Sequence, residues 1–281
     1  MKLSNGVISI EIAEHGAELK SAVKDSREYM WCGDEKYWGR TSPVLFPNVG
    51  RLKDNKFISD GKVYQMGQHG FARDTDFVLL EKKDNAVSYI LKSDENTLAK
   101  YPFEFDLIIT YTIEKSVIKV NWTVINRGKA TMSFSIGAHP GFKLKDGDNY
   151  FKFDNIENIV YNLIDESGLY AADNKHILEN DGFVKIENSM FDNDALIVEN
   201  GQAREVSLCG SDKQPYVTVR FDMPLFGLWS PVKMNAPFVC IEPWCGRCDR
   251  NDFEGEISER DYIINLEPDN TFETGYEIEL F

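Results

Sequence analysis

The sequence has few histidines and no long apolar run. Only four of its 281 residues are histidine, and no stretch approaches the roughly 20 consecutive apolar residues of a membrane-spanning helix. The first six residues also lack the apolar core of a signal peptide. These absences predict a cytoplasmic protein with no membrane partner.

Basic residues are scarce relative to acidic ones. The chain has 31 lysines and arginines against 46 aspartates and glutamates, a formal net charge of −15. A surface of this sign repels a phosphate backbone, so we expect no nucleic-acid partner. The hydrophobic content of 42% is enough to build a full core without disulfides.

Cysteine is sparse and odd in number. The five cysteines include the pair Cys245 and Cys248, but no second pair stands at zinc-site spacing and no βαβ pattern surrounds them. We therefore expect free thiols in a reducing compartment, with no metal and no cofactor. The role of the pair stays open.

Helical patterns are rare, whereas alternation of apolar and polar residues recurs along the chain. It predicts strands at 8–12, 107–113, 118–124, 217–222 and 276–280, with a hairpin turn at 114–116. Short helices are predicted only at 34–38 and 94–100, each opened by an acidic cap. Many short strands without a βαβ rhythm predict an all-β protein, one large antiparallel β-sandwich over residues 1–281. Two small β-domains would also fit this length.

Two of the histidines lie in apolar corners bounded by glycine or proline. His139 stands in segment 135–142 (SIGAHPGF) and His69 in segment 68–73 (QHGFAR). Because histidine exchanges a proton near neutral pH, two of them at strand ends suggest acid and base groups. A core histidine satisfied by a backbone carbonyl is the alternative for either one. Arg73, four residues from His69, should keep that ring neutral.

Other polar residues follow apolar segments. Arg51 ends segment 42–51 after a glycine, where it can direct a guanidinium at a ligand or remain a surface arginine. Glu242 closes the apolar run 237–242, and a buried, unpaired carboxyl there would have a raised pKa and act as a base near neutrality. Trp244 can present a flat face to a sugar ring or belong to the core, and Asp194 can be a turn residue or a ligand group.

Taken in order, these motifs resemble the aldose 1-epimerase (galactose mutarotase-like) family. The motifs are 46–51, 69–71, 137–142, 193–194 and 240–244, and together they span essentially the whole chain. The run 242–246 (EPWCG) is most similar to an uncharacterised bacterial branch of the family. Galactose mutarotases proper have Thr-Gln after the glutamate, where this chain has Pro243 and Trp244.

The resemblance implies an isomerase that interconverts the α and β anomers of an aldose, with a carbohydrate cleft on a concave sheet. By similarity, Glu242 is the general base for the anomeric hydroxyl and His139 the general acid for the ring oxygen. Such chemistry predicts an acid and a base on opposite sides of the C1–O5 unit. The residues expected to bind the sugar are Arg51, His69, Asp194, Arg73 and Trp244.

Two other functions stay open. A non-catalytic carbohydrate-binding β-sandwich would need Trp244 and Arg51 but neither the acid nor the base. A hexose-6-phosphate 1-epimerase would hold the phosphate with Arg51, Arg73 and Arg247, provided that the three guanidiniums converge.

Overall fold

The computed structural model describes all 281 residues, and strands dominate it. The first twelve strands are β1 (Lys2–Ser4), β2 (Ile8–Ile12), β3 (Leu19–Lys24), β4 (Arg27–Glu28), β5 (Val44–Leu45), β6 (Lys56–Ser59), β7 (Lys62–Gln65), β8 (Val78–Lys82), β9 (Ala86–Lys92), β10 (Phe105–Glu114), β11 (Val117–Asn126) and β12 (Met132–Phe134). The others are β13 (Ile136–Ala138), β14 (Gly141–Lys143), β15 (Tyr150–Phe153), β16 (Ile159–Ile164), β17 (Tyr170–Leu178), β18 (Val184–Lys185), β19 (Leu196–Val198), β20 (Glu205–Cys209), β21 (Pro215–Phe221), β22 (Leu225–Trp229), β23 (Phe238–Cys245), β24 (Ile264–Leu266) and β25 (Thr271–Leu280). The helices are α1 (Glu95–Lys100) and the short 3₁₀ segments Lys53–Asn55, Ala72–Asp74, Asn188–Phe191 and Ile257–Glu259.

A nine-stranded antiparallel sheet forms one layer, in the order β18-β15-β20-β21-β25-β11-β10-β9-β8. Its centre is the predicted hairpin, in which β10 and β11 pair from Phe105 opposite Asn126 to Glu114 opposite Val117. Alternation of buried and partly exposed residues along both strands accounts for the pairing, since a one-residue slip would expose the apolar face. The predicted strands at 217–222 and 276–280 lie beside it as β21 and β25.

The second large sheet has eight strands and carries the candidate site. Its order is β17-β16-β19-β22-β23-β13-β5, and β14 also pairs with β23. All eight residues of β23 are buried, as expected for a central strand covered on both faces. The predicted strand at 8–12 is β2 of a separate four-stranded sheet.

A core of 61 buried residues includes residues of both large sheets, such as Ile109 of β10 and Ile241 of β23. This packing confirms the antiparallel β-sandwich. Because successive side chains of a strand point to opposite faces, Ile241 and Cys245 reach this core while Glu242 and Trp244 face away from it. Glu242 and Trp244, both candidate site residues, therefore project from the other face of the eight-stranded sheet.

One predicted helix is confirmed and the other is wrong. The segment 94–100 forms α1, whose first residue follows Asp94, an N-cap that accepts from the Thr97 amide. Residues 34–38 form a turn, in which the amides of Tyr37 and Trp38 both donate to the Asp34 carbonyl. Glycines flank the turn, and the Trp38 indole packs onto the site described below, so tertiary contacts prevail over the local pattern. No helix has the length and apolar character needed to cross a bilayer.

Candidate active site

A cavity of about 300 Å³ opens on the outer face of the eight-stranded sheet. Every site residue predicted from the sequence lines it: Arg51, His69, Arg73, His139, Asp194, Glu242 and Trp244. These residues come from five separated segments of the chain, so the fold alone brings them together. Concave sites of this size, with few polar groups on apolar walls, are typical of small-molecule binding.

Glu242 and Trp244 project from β23 onto the cavity floor. Two neighbouring glycines make room for the indole: a Cβ on Gly137 would lie 2.5 Å from Trp244, and one on Gly227 only 2.3 Å away. Gly227 also stands opposite Glu242 in the ladder between β22 and β23. The Trp244 Nε1–H donates to the Ala138 carbonyl at 3.2 Å, which fixes the ring in the plane of the floor.

His139 follows β13 and meets Glu242 across the floor. Its Nε2 lies 3.3 Å from Glu242 Oε2, and both side chains are buried. The acid and base candidates are therefore side by side, whereas the ring-opening chemistry predicted them on opposite sides of the C1–O5 unit. The arrangement still suits the chemistry, because the anomeric oxygen and the ring oxygen are bonded to the same carbon.

Two tryptophans that the sequence analysis did not assign hold the His139 ring. The Trp38 indole stacks on it, with centroids 4.7 Å apart and planes at 29°. Trp229 meets it edge-on, at 5.1 Å and 80°. His139 Nδ1 is buried without a hydrogen-bond partner, so aromatic packing orients this ring where a carboxylate or carbonyl usually would.

Burial sets the protonation of this pair. It raises the pKa of Glu242 well above its ordinary value, and the nearby Asp194 carboxyl raises it further. It also lowers the pKa of His139 to about 3. Burial therefore favours a proton on Glu242 over one on His139, whereas a general acid at His139 requires the opposite form of the pair.

His69 has a φ of +66°, a backbone conformation that residues other than glycine rarely adopt. Its Nδ1 accepts from the Gly50 amide at 3.0 Å, so in the neutral ring Nε2 carries the hydrogen and is available as a donor. Burial first, and then the Arg73 charge, lower the pKa of His69 well below its ordinary value. A neutral ring agrees with this direction, and burial is a larger cause than the Arg73 charge.

Arg51 and Arg73 bring guanidinium groups to the cavity without strong carboxylate partners. Arg51 Nε is buried and unpaired, and Gly168 leaves room beside it, since a Cβ there would lie 3.2 Å away. Arg73 donates from Nη2 to the Gln68 carbonyl at 2.8 Å, and its Nε makes no hydrogen bond, with Asp74 Oδ2 3.6 Å away. Burial lowers the pKa of Arg73 to about 10, which still leaves it charged at neutral pH.

Asp194 enters the cavity from the turn before β19. It has a φ of +75°, and its Oδ1 accepts from the Ala195 amide at 2.7 Å. Burial raises the pKa of this carboxyl above its ordinary value. Asp194 thus has a structural contact in its turn as well as a place in the cavity, where its role as a ligand group stays a prediction.

Arg247 also lines the cavity but is occupied by other protein groups. It donates to Glu199 at 2.8 Å, to Asp261 at 2.7 Å and to the Cys248 carbonyl at 3.0 Å. Its guanidinium also stacks over the Tyr170 ring at 3.6 Å. The three arginines therefore approach one cavity, but only Arg51 and Arg73 have unpaired donors.

The cysteine pair forms no bond. All five cysteines are free, Cys245 lies in the main core and Cys248 in the cavity wall. Burial raises the pKa of both thiols to about 12, which makes them poor nucleophiles at neutral pH.

Comparison with known proteins decides the family. Residues 1–264 match the family model for aldose 1-epimerase. The chain belongs to the aldose 1-epimerase family. It is an isomerase of the mutarotase type, and membership of this family implies that the substrate is a sugar.

Relatives and solved structures agree with this membership. The chain is 29% identical to the plasmid-encoded protein LacX of Lactococcus lactis subsp. lactis, over 99% of this chain and 98% of that one. It is 33% identical to a galactose mutarotase related enzyme from Lactobacillus acidophilus, with a TM-score of 0.95 over 100% of this chain and 97% of the other. A galactose mutarotase-like protein from Lactobacillus casei is 28% identical, with a TM-score of 0.92 over 100% and 99%.

Proposed function

We propose that the protein catalyses interconversion of the α and β anomers of an aldose, with Glu242 as general base and His139 as general acid. The observation that supports this most is the buried 3.3 Å contact between His139 Nε2 and Glu242 Oε2 on the cavity floor. A pair that holds one proton can take one from the sugar and return one to it in the same cycle. Each positioned proton transfer is worth on the order of a hundred- to ten-thousand-fold in rate.

In the proposed ring opening, the Glu242 carboxylate takes the proton of the anomeric hydroxyl. The electron pair left on that oxygen forms the C1 carbonyl as the C1–O5 bond breaks, and the His139 imidazolium gives its proton to O5. The sugar rotates about its C1–C2 bond and closes with the two roles exchanged. This opening leaves Glu242 protonated and His139 neutral, and closure with the roles exchanged restores the ionic pair. Burial favours the neutral form in the free protein, and a proton shift across the 3.3 Å contact converts it to the ionic form before the ring opens.

The proposed sugar contacts follow from which polar atoms in the cavity lack partners. Arg51 Nε and Arg73 Nε are buried donors without acceptors, and His69 Nε2 is a donor whose ring is fixed from the other side. Asp194 supplies an acceptor, and Trp244 the flat floor. A sugar hydroxyl both donates and accepts, so one sugar can satisfy donors and acceptors of this set together.

The test is exchange NMR or polarimetry of freshly dissolved aldoses with purified protein. We expect anomer exchange of at least one neutral aldose to rise in proportion to protein concentration. No acceleration with any sugar that demonstrably binds would favour the non-catalytic carbohydrate-binding protein.

A hexose 6-phosphate is the second candidate substrate, because Arg51 and Arg73 have unpaired donors in one cavity. Arg247 contributes little to this candidate, since Glu199 and Asp261 already neutralise it. Aldoses and their 6-phosphates should therefore be compared in the same assay. A higher kcat/KM for the phosphorylated sugar would assign the two free guanidiniums to the phosphate.

A further inference from the structure

A third potential metal ligand lies directly beside the acid and base pair. Cys240 precedes Glu242 by two residues on β23, so both side chains point to the same face of the sheet. One ligand atom each from His139, Cys240 and Glu242 fall within 4.8 Å of one another, and all three residues are buried. We propose that this trio binds Zn²⁺ and that the ion inhibits the enzyme.

The ligand types fit zinc better than a harder cation. A thiolate, an imidazole nitrogen and a carboxylate oxygen are all common zinc ligands, whereas Mg²⁺ and Ca²⁺ prefer oxygen. Zinc–ligand bonds of about 2.0 to 2.3 Å place the ligands about 3.3 to 3.8 Å apart in a tetrahedral site. The His139–Glu242 contact of 3.3 Å already has that spacing, so the main adjustment is an approach of Cys240 by about 1 Å.

Charge balance also favours a dication here. When Zn²⁺ enters, the Cys240 thiol and the protonated carboxyl of the pair each release a proton to solvent, and the resulting thiolate and carboxylate neutralise the ion. A neutral complex is tolerated in a buried place where a lone charge is not. The negative charge of Asp194 on the cavity side favours binding of the ion, and the positive charges of Arg73 and Arg40 oppose it.

The position explains why such an ion would inhibit. His139 and Glu242 line the cavity, while Cys240 packs among Trp31 and Phe238 beside it on the same face of the sheet. Three protein ligands leave the fourth position open toward the cavity, as in zinc sites that keep an exchangeable ligand. A bound ion would occupy the lone pairs that the proposed proton transfers use, so the zinc form cannot act as acid and base.

The experiment measures metal binding directly. Because the exposed Cys32 can bind metals adventitiously, all variants carry Cys32→Ser. Zinc affinity is measured by competition with a chromophoric indicator, and Co²⁺ serves as a spectroscopic substitute. We expect one zinc per chain, a cobalt spectrum with a thiolate charge-transfer band, and no comparable binding of Mg²⁺.

The decisive variant is Cys240→Ala, and Cys248→Ala is the matched control because Cys248 is a buried cavity thiol outside the trio. Cys240→Ala should weaken zinc binding by about a hundredfold and abolish the cobalt band, whereas Cys248→Ala should leave both unchanged. If Cys240→Ala does not fold, Glu242→Gln provides the same test by removing another ligand. Equal affinity in Cys240→Ala and its background, or no saturable binding at all, would overturn the proposal.

These measurements need no catalytic activity. If the protein binds zinc but does not catalyse anomer exchange, only the proposed reaction is rejected. If it catalyses anomer exchange but has no zinc site, only the zinc proposal is rejected. In an active enzyme, micromolar zinc should inhibit anomer exchange reversibly, with activity restored by a chelator. Zinc inhibition that persists undiminished in Cys240→Ala would place the ion elsewhere.

Discussion

Two concavities, one on each principal sheet, differ in how their charged groups are paired. The groove on the nine-stranded sheet is larger, about 500 Å³ against about 300 Å³ for the cavity on the eight-stranded sheet. Its charges neutralise one another: Arg220 contacts Glu205 at 2.6 Å and Glu279 at 2.7 Å, and Arg204 pairs with Asp222.

The smaller cavity has the opposite character. Glu242 and His139 are buried and carry shifted pKa values, and neither Arg51 Nε nor Arg73 Nε makes a hydrogen bond. Unsatisfied buried groups lower stability unless a ligand or a reaction uses them, whereas exposed ion pairs cost and contribute little. The pairing of charges, rather than the volume of a concavity, therefore favours the smaller cavity as the candidate active site.

The largest expected effect is the loss of the base. Glu242→Gln keeps the shape of the side chain and removes its proton chemistry, so we expect kcat/KM for anomer exchange to fall by about a hundredfold or more. The matched control is Glu205→Gln in the other groove, which should retain the wild-type rate because Glu205 is paired with Arg220 on the surface. Wild-type rates in purified, folded Glu242→Gln would move the base to another residue.

The two cavity histidines should separate turnover from binding. His139→Asn cannot deliver a proton, so its kcat should fall by about a hundredfold, whereas His69→Asn should mainly raise KM. Steady-state kinetics on the best aldose check this difference. Equal losses of kcat in both variants would remove the proposed division of labour.

The pH dependence tests which residue holds the proton. A singly protonated pair is required in either assignment, so kcat/KM should be bell-shaped. Because burial lowers the pKa of His139 to about 3, the acid limb should lie well below the ordinary histidine range, and activity should persist at about pH 5. The alkaline limb should follow loss of the Glu242 proton, whose pKa burial raises. An acid limb centred near pH 6.5 would show that His139 titrates as an exposed histidine does.

Arg51, whose guanidinium Nε is unpaired in the cavity, should affect KM more than Arg220, whose guanidinium is paired outside it. Arg51→Met removes an unpaired buried donor, and we expect KM to rise by about tenfold, the loss of one hydrogen bond to a charged group. Arg220→Met breaks two surface ion pairs and should leave KM unchanged. Kinetics of both variants with a neutral aldose and with its 6-phosphate provide the measurement, and an equal KM change in both would contradict the contrast.

Local sequence patterns predicted part of the fold and missed another part. The alternation in β10 and β11 and the Asp94 cap of α1 predicted those elements because period and capping chemistry act locally. The turn at 34–38 was missed because the Trp38 indole packs against His139, about a hundred residues away in the chain.

The site shows the same limit. Family motifs predicted which residues line the cavity, but the contact between His139 and Glu242 depends on the pairing of β13 with β23, where Gly137 stands opposite Trp244. The favoured position of the proton depends on burial, which is a property of the packed molecule rather than of a motif. Trp229 likewise reaches the His139 ring only because β22 lies beside β23.

The smallest expected effect concerns stability. Burial raises the pKa of Glu242 above its value of 4.5 in an unfolded chain, so above that pH the folded state binds a proton that the unfolded state has released. Stability then falls as pH rises, until the folded carboxyl also ionises. Gln cannot titrate, so Glu242→Gln should be more stable than the wild type at about pH 8, by about 1 kcal/mol or 2 to 4 °C in Tm, and close to it at about pH 4.5.

Thermal unfolding at both pH values checks this, with Glu205→Gln as the control that should show no such gain. A difference in Tm between Glu242→Gln and the wild type that is the same at both pH values would mean that Glu242 is ionised in the folded protein. The charges of the cavity would then be paired, like those of the groove on the nine-stranded sheet.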